Sequence, residues 1–510
     1  MSKFNTASKP AMTTNLAGEK AYVISDDNFA LYTIVAANLI QDRFYQNAGT
    51  NLSNLRKAIK KADPLFVAKL AVYARKNLNL RTAPLVLMIE LAKIHNGDNL
   101  VSRGLYHSIC RADELSEALA YYKYANGNRN MKKLSKQVLK GVSAAFNKFD
   151  EYQFSKYKCE GKDISTKDAL FIVHPKPLSS ENQVLFDKIA AGTLAVAETW
   201  ETKKSAAGKA ASTESEKKAI SKETWETMLS EKKIGYMALL RNLRNMLQDD
   251  VSDKTIDLAV SYLTNPKAVL GSKQFPFRFY TAYRELQKLE GVNVAKARKL
   301  IRAIKEAGVI ALMNLGEIFA PSDRVVSVVD VSGSMGSPIS GDSTVRNIEV
   351  ATFHGALLQA LNDNCRLAYF GDKFGFEKNL EIDPFELPTK HSELSGKYGH
   401  ATNAHTLFDH LLKHNIPMDK IVVWSDMQFW NSTGWNSDKG SFMTKWKRYA
   451  AKFPNAKLIL IDSHGYDKST PVRLDGRVTH ITGFSSETFR VMSNMSNGGE
   501  IVREIMAIEL

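Results

Sequence analysis

The sequence contains very little cysteine. Only Cys110, Cys159 and Cys365 occur among its 510 residues, and no two of them form a Cys-x-x-Cys pair. This spacing argues against a disulfide framework or a zinc knuckle and is typical of a reducing compartment. The chain also lacks an apolar run of about 18 residues and a signal-peptide pattern. We therefore expect a cytoplasmic protein that does not enter a membrane.

Several enzyme motifs are missing as well. The sequence has no Gly-x-x-x-x-Gly-Lys-Ser/Thr phosphate loop, no Gly-x-Ser-x-Gly segment and no His-Glu-x-x-His segment. A metal-assisted hydrolase built on Asp330 and Asp426 is the alternative enzyme class, but no obvious general base accompanies these two carboxylates. We expect a binding protein and no enzyme.

Positive charge is concentrated in the first part of the chain. The formal net charge is +15, yet residues 1–320 hold 49 Lys and Arg against 32 Asp and Glu, whereas residues 321–510 hold 20 against 22. A basic excess of this size attracts polyanions, and phosphate contacts supply most non-specific nucleic-acid affinity. The alternative is a solvated surface that only maintains solubility.

The first part of the chain has the apolar spacing of many medium-length helices. Residues 1–18 are polar and are expected to form an arm, and residues 19–320 a helical domain of stacked pairs, an α-solenoid. Residues 203–222 consist mostly of Lys, Ala, Ser and Glu, and we expect an exposed insertion there. No fixed-period repeat is present, so the repeats are divergent.

After Pro321 the pattern changes to strands alternating with helices. Residues 325–329 form an almost purely apolar, β-branched run, as a buried parallel strand requires. Further strands are predicted at 366–370, 421–424, 457–462 and 478–484, with helices between them. This alternation predicts a doubly wound α/β domain over residues 321–510.

The first strand of this second domain leads into Asp330-Val331-Ser332-Gly333-Ser334. Ligands of doubly wound sheets bind beyond the carboxyl ends of the strands, and one carboxylate with two hydroxyls suits Mg²⁺ or Mn²⁺. The motif resembles the Asp-x-Ser-x-Ser metal-ion-dependent adhesion site of von Willebrand factor A domains. That resemblance implies two further ligands, Thr402 from a second loop and Asp426 from a third. The alternative is a serine-rich turn whose aspartate caps the next helix.

A helix through residues 236–247 would place its apolar side chains in one stripe. Arg241 and Arg244, three residues apart, would share a neighbouring face and form a fork for phosphates. In the alternative, these arginines pair with glutamates or cap carbonyls.

A second basic region lies at 156–176, where lysines alternate with aromatic residues such as Tyr152, Phe154 and Tyr157. Cations beside aromatic rings suit RNA backbone contact combined with base stacking. Upstream lysines extend the region. The candidate RNA-binding residues here are Lys132, Lys133, Lys136, Lys156, Lys158, Lys167 and His174. The alternative is a solvated lysine face. Phe275, Phe277 and Phe279 are expected in the core.

Several segments of residues 13–310 resemble the TROVE module of Ro autoantigens. They include Leu70-Ala71-Val72-Tyr73-Ala74-Arg75, the run from Gly235 to Met246 and Phe275-Pro276-Phe277-Arg278-Phe279. In the basic region, Lys156-Tyr157-Lys158, Lys167-Asp168 and His174 also follow the family pattern, but Glu160 stands where relatives carry a basic residue. The chain is similar to Ro proteins in domain order too, with the adhesion-site domain following the helical one.

The resemblance implies a ring-like domain of HEAT-like helical repeats followed by a von Willebrand factor A domain. It implies that single-stranded RNA 3′ ends enter a hole lined in part by Arg241 and Arg244, and that a small noncoding, Y-like RNA lies near Lys156, Lys158 and His174. We expect a role in RNA quality control, with an exoribonuclease or another protein as partner. The alternative is a metal-dependent protein-interaction scaffold for which RNA binding is secondary.

Overall fold

The computed structural model describes most of the chain. The described residues are 12–14, 19–24, 26–37, 48–127, 134–157, 159–197, 200, 202, 213–274, 276–313, 318–339, 343–432, 441–464, 469–474, 477–483, 488–489, 492 and 498–510. The chain divides into two compact units. A helical unit comprises Leu52–Asn314 with Ile505–Leu510, and an α/β unit comprises Met1–Asn51 with Leu315–Glu504.

The helical unit is built from consecutive helices with short connections. They are α2 (Ala48–Lys61), α3 (Pro64–Lys76), α4 (Thr82–Leu91), α5 (Leu100–Ser108), α6 (Asp113–Ala125), α7 (Lys136–Phe146), α8 (Glu151–Lys156), α9 (Thr166–Val173), α10 (Ser180–Ala191), α11 (Glu214–Ser230), α12 (Tyr236–Gln248), α13 (Asp253–Leu263), α14 (Pro266–Gly271), α15 (Pro276–Gln287) and α16 (Val294–Met313).

The packing order of these helices is that of a solenoid. α3 packs against both α4 and α5, α4 packs against α5 and α6, and α5 packs against α7, so neighbouring helices stack on one another along this part of the chain. Gly141 on α7 permits a close approach to α5, because a Cβ there would lie 2.8 Å from Leu105 Cβ and from the Ser102 carbonyl. The helical-repeat domain expected from the sequence is confirmed.

The α/β unit contains a six-stranded sheet in the order β5-β4-β3-β6-β7-β9, parallel except for the edge strand β5. Its strands are β3 (Val325–Asp330), β4 (Cys365–Phe370), β5 (Phe374–Phe376), β6 (Lys420–Ser425), β7 (Lys457–Asp462) and β9 (Val478–Thr482). Its main helices are α17 (Asn347–Leu361), α18 (His391–Tyr398), α19 (His405–Lys413) and α20 (Phe442–Lys452), and α21 (Gly498–Met506) follows.

Strand β3 lies at the centre of this sheet. All six of its residues are buried, which explains the unbroken apolar run in the sequence. The chain moves from β3 to β4 on one side and returns to β6 on the other, so the direction of winding changes between β3 and β6. In open α/β sheets this switch point, at the carboxyl ends of the strands, is where ligands bind. The doubly wound domain is therefore confirmed.

The two units differ at their edges from the domains expected from the sequence. A small second sheet joins β1 (Met12–Thr14) and β2 (Lys20–Val23) to β8 (Ser469–Thr470), and α1 (Asp27–Ala37) packs on β9. The described strand of the arm predicted at 1–18, together with the first strand and helix of the domain predicted at 19–320, thus belongs to the α/β unit, because these elements join the small sheet or pack on β9. Of the insertion predicted at 203–222, residues 203–212 lie outside the described residues and residues 214–222 begin α11.

Candidate metal centre and nucleic-acid interface

Asp330 ends β3 and is completely buried. Its Oδ1 accepts a 2.9 Å hydrogen bond from the Ser332 amide, and its Oδ2 accepts a 2.6 Å hydrogen bond from the Ser425 hydroxyl at the end of β6. The carboxylate is therefore oriented by both strands that flank the switch point. Such a buried charge needs compensation by hydrogen bonds or by a cation.

The serines of the motif lie directly beyond this carboxylate. A short 3₁₀ turn begins at Gly333, and the Ser332 and Ser334 hydroxyls are 3.3 Å apart. Ser332 is buried, whereas Ser334 is exposed. Two adjacent hydroxyl oxygens thus accompany Asp330 at the edge of the sheet.

Asp426 follows β6 and is also buried. Its Oδ1 accepts a 3.1 Å hydrogen bond from the Gln428 amide, whereas Oδ2 has no hydrogen-bond partner in the described part of the chain. An unpaired buried carboxylate oxygen is costly unless another group satisfies it. This oxygen is therefore the free ligand position that a cation would use.

The loop that carries Thr402 is held against the other two loops by backbone hydrogen bonds. The Gly333 amide donates to the His400 carbonyl at 3.0 Å, and the Trp430 amide donates to the Thr402 carbonyl at 3.1 Å. Thr402 is half-buried, and its hydroxyl makes no hydrogen bond to any residue that the structure describes. The three loops named from the sequence thus lie together, and the His400 side chain is exposed.

Both carboxylates have a raised pKa, chiefly because they are buried. Burial, reinforced by the nearby charge of Asp426, raises the pKa of Asp330 to about 7. Burial also raises the pKa of Asp426, although the Ser334 hydroxyl acts against this effect. Like charges in a poorly solvated site repel, and a divalent cation would remove that repulsion. Two carboxylates with up to three hydroxyls are hard oxygen ligands, so the residues fit Mg²⁺ or Mn²⁺.

Asp462 and His464 also lie at this edge of the sheet, and neither of them was named from the sequence. Asp462 ends β7, the strand next to β6, and its Oδ1 accepts a hydrogen bond from the His464 amide at 3.0 Å. Burial lowers the pKa of His464, whereas Asp426 and Asp462 act in the opposite direction. Asp462 could have been found by inspecting the carboxyl end of every predicted strand. Within the described ranges, no group of three or more His, Cys, Asp or Glu side chains is arranged to hold a metal ion, either at this edge or elsewhere.

In the helical unit, α12 has the amphipathic pattern predicted from the sequence. The apolar side chains of the stripe are buried; they are Tyr236, Leu239, Leu240, Leu243, Met246 and Leu247. Arg241 and Arg244 are exposed on the other side. Arg244 lies 3.5 Å from Glu285 on α15, so the alternative of a glutamate-paired arginine holds for this residue. Arg241 makes no ion pair with any described residue.

The second basic region places one cation among aromatic rings. Lys156 ends α8 and is exposed, with its Nζ 5.5 Å from the centre of the Tyr152 ring and 5.4 Å from that of Tyr157. The Arg111 guanidinium, which sequence reasoning missed, lies 4.0 Å from the centre of the same Tyr157 ring. These residues form a surface of alternating cations and rings, which we call the cation–ring surface.

The other candidates in this region lie on α7, on or directly after α9, or outside the described residues. Lys136, Lys167 and His174 are exposed, and within the described ranges no hydrogen bond or ring contact joins any of them to Lys156. Lys132, Lys133 and Lys158 lie outside the described residues. His174 ends α9 with a left-handed backbone, φ 44°.

The aromatic candidates divide into exposed and buried residues. Tyr152 is exposed, but Phe154 is fully buried between Phe146 and Phe149, so it is a core residue and cannot stack on a base. Two other rings that the sequence assigned to the core are buried as expected; they are Phe277 and Phe279. Phe275 lies outside the described residues.

The fold and the site together define a helical-repeat protein with a C-terminal von Willebrand factor A-type domain. Residues 193–306 match the family model of the TROVE domain. A structure described as the crystal structure of Deinococcus radiodurans RO (RSR) protein has a TM-score of 0.58, with 16% sequence identity, and the match covers 92% of this chain and 99% of that one. Residues 193–306 are therefore similar to the TROVE domain, and the chain shares the fold of Ro protein.

Two curated relatives are longer proteins. Telomerase protein component 1 of Mus musculus is 24% identical over 359 residues, which are 54% of this chain and 13% of that protein. Telomerase protein component 1 of Rattus norvegicus is 37% identical over 100 residues, which are 20% of this chain and 3% of that protein. The chain therefore corresponds to a small part of these relatives. Among its described helices, none combines the length and apolar character needed to cross a membrane.

Proposed function

We propose that this protein binds RNA through its helical unit and acts in RNA quality control or as an RNA–protein scaffold. The observation that carries the proposal is the TROVE match over residues 193–306, which includes the exposed arginine face of α12. The likeness to Ro protein and the basic excess of residues 1–320 support the same function. This role requires binding and no catalytic group.

Two RNA surfaces are assigned. Arg241 and Arg244 contact the phosphates of single-stranded RNA 3′ ends from defective transcripts, as exposed guanidiniums on one rigid helix are suited to do. The cation–ring surface around Lys156, extended by Lys158 and His174, contacts a structured Y-like RNA. Lys132, Lys133, Lys136 and Lys167 would extend that contact. The proposal also includes that the helices of the helical unit close into a ring.

A metal-dependent contact with a protein, such as an exoribonuclease, is assigned to the α/β unit. Asp330, Ser332, Ser334, Thr402 and Asp426 would hold Mg²⁺ or Mn²⁺, partly through water, and a carboxylate of the partner would complete the shell. The unpaired Oδ2 of Asp426 supports this assignment. If this contact is the primary task, the protein is a metal-dependent scaffold and RNA binding is secondary.

Salt dependence separates the two functions. We expect the full-length chain to bind a short single-stranded RNA with an affinity that falls steeply as salt rises, because phosphate contacts release counterions. The measurement is a filter-binding titration at several KCl concentrations. Absence of RNA binding at low salt, combined with Mg²⁺-dependent and salt-insensitive capture of a protein, would favour the scaffold.

A further inference from the structure

A small basic pocket lies at the surface of the helical unit, and none of its lining residues belongs to α12 or to α8. It has a volume of about 220 Å³ and is formed by α2 and by the end of α4 with the turn that follows it. Its lining consists of Arg56, Ile59, Lys60, Glu90, Lys93 and Ile94. Three of these six side chains are cations and one is an anion.

Glu90 holds two of the three cations in place. Its Oε1 accepts hydrogen bonds from Arg56 Nε at 2.9 Å and from the Tyr121 hydroxyl at 2.7 Å, and its Oε2 accepts one from Lys93 Nζ at 3.1 Å. The glutamate itself is buried. Both of its oxygens are thus used internally, and its role is to fix Arg56 and Lys93 at the pocket wall.

Donors remain available on all three cations. Arg56 donates to Glu90 through its Nε and also interacts with the Tyr121 hydroxyl, so most N–H groups of its two terminal nitrogens remain available for a ligand. Lys93 donates to Glu90 and to the Ala125 carbonyl at 3.0 Å, which leaves one of its three hydrogens. Lys60 is exposed and makes no hydrogen bond or ion pair in the described part of the chain.

Charge and size indicate the ligand. Three cations against one carboxylate leave the pocket with a formal charge of +2, which matches the charge of about −1.5 to −2 on a phosphate monoester at neutral pH. At about 30 Å³ for each water, the volume corresponds to roughly seven water molecules. It lies below the ~300 Å³ lower limit of pockets for drug-sized ligands, so a phosphate group fits but a whole nucleotide does not.

We propose that this pocket binds a phosphate monoester dianion, held by the terminal nitrogens of Arg56 and by the ammonium groups of Lys60 and Lys93. Free phosphate and the 5′-terminal phosphate of an RNA strand present the same chemistry to it. The pocket shares no lining residue with the surfaces assigned to RNA 3′ ends and to structured RNA, and its existence does not depend on either.

Inorganic phosphate is the first probe, titrated calorimetrically into the full-length chain at low salt. We expect saturable binding that Lys60→Gln weakens about tenfold, because the variant lacks one charged hydrogen-bond donor. Lys57→Gln is the matched control, since Lys57 lies exposed on the same helix outside the pocket lining, and it should bind as the wild type does. Among the described residues Lys60 has no hydrogen-bond or ion-pair partner, so its replacement does not threaten folding.

The second probe is a pair of short RNA strands that differ only in a 5′-phosphate or a 5′-hydroxyl. A preference for the phosphorylated strand that Lys60→Gln removes identifies the RNA end as the source, and equal binding of both strands leaves free phosphate as the ligand. The proposal is overturned if the wild type shows no saturable phosphate binding below about 10 mM. It is overturned equally if Lys60→Gln and Lys57→Gln bind phosphate alike. Because the first probe contains no RNA, failure of RNA binding would not be mistaken for failure of this pocket.

Discussion

The Ser425 hydroxyl donates a 2.6 Å hydrogen bond to Oδ2 of Asp330, so the ends of the two central strands are linked at the candidate metal centre. Ser425 also accepts a hydrogen bond from the Met427 amide, which turns the chain sharply after Asp426. One serine therefore orients the first carboxylate and the loop that carries the second.

Replacing Asp426 by asparagine tests the metal centre. We expect Mg²⁺ or Mn²⁺ to stabilise the wild type, by about 2.7 kcal/mol at a metal concentration 100 times the dissociation constant, and to leave Asp426→Asn unchanged. In EDTA the variant should melt higher than the wild type, because the repulsion that raises the pKa of Asp330 is removed. Differential scanning calorimetry measures both effects.

The control is Asp363→Asn, which removes an exposed carboxylate away from the motif. An equal response of Asp426→Asn and Asp363→Asn to the metal would contradict the assignment.

Reversing the charge of Lys156 tests the cation–ring surface. Lys156→Glu should weaken binding of a structured RNA more than binding of a short single strand, because only the former is assigned to this surface. The slope of log affinity against log salt should also fall by about 1 for each phosphate that the variant no longer neutralises. Gel-shift titrations with both RNAs provide the measurement. Lys254→Glu changes the same charge on an exposed part of α13, and equal weakening by Lys156→Glu and Lys254→Glu would refute the assignment.

Glu285 is expected to limit the affinity of the α12 arginines for RNA. It lies 3.5 Å from Arg244, and both side chains are substantially exposed. Glu285→Gln should therefore strengthen binding of single-stranded RNA severalfold, since it releases Arg244 and removes a negative charge, at little cost in stability. Arg241→Gln should have the opposite effect. If Glu285→Gln leaves the affinity for single-stranded RNA unchanged in filter binding, RNA does not contact this face.

A buried histidine should make the α/β unit sensitive to mild acid. His354 is fully buried, its Nδ1 donates to the Val350 carbonyl at 2.8 Å, and its ring stacks on Trp424. Burial lowers the pKa of His354 from 6.5 to about 4. Below pH 6.5 the unfolded chain binds a proton that the folded chain does not, so stability falls as the pH drops from about 6.5 to 4.

The largest slope expected from this residue is about 1.4 kcal/mol per pH unit. His354→Leu lacks the titrating group. As the pH falls from 6.5 to 4, the unfolding free energy of the wild type should therefore decrease relative to that of His354→Leu. Denaturant titrations at several pH values measure that difference. A difference that stays constant between pH 6.5 and 4 would show that His354 does not couple folding to protons.

The spacing of apolar residues in the sequence was enough to predict both the helical-repeat domain and the doubly wound α/β domain. The apolar stripe of α12 and the continuous apolar run of β3 depend on local spacing, which the sequence displays directly. The Asp-x-Ser-x-Ser motif located the candidate metal centre because its three residues are nearly consecutive. Asp462 ends a strand that the sequence predicted, but its place next to the end of β6 depends on the order of strands in the sheet, which no local pattern contains.

Contacts between distant helices were equally hidden from the sequence. The position of Arg111 over Tyr157 and the pairing of Arg244 with Glu285 join residues 46 and 41 positions apart. Phe154 was grouped with exposed aromatic residues because it occurs among lysines, but helix geometry directs it into the core between Phe146 and Phe149. Composition therefore located the basic region without distinguishing its surface residues from its core residues.

The N-terminal segment of the chain belongs to the C-terminal α/β unit, and the last residues belong to the helical unit that precedes it. β2 hydrogen-bonds to β8 through Tyr22 and Thr470 in the α/β unit, whereas the Met506 carbonyl accepts a hydrogen bond of 2.5 Å from Lys69 in the helical unit. If the chain is divided near residue 320, the α/β fragment lacks the N-terminal segment of its unit, and the helical fragment lacks the last six residues of its own unit. Each fragment then also carries a segment that belongs to the other unit. A fragment of the helical unit should therefore start near residue 52 and carry the final six residues as a fusion. A fragment of the α/β unit should carry the first 51 residues fused to residues 315–504.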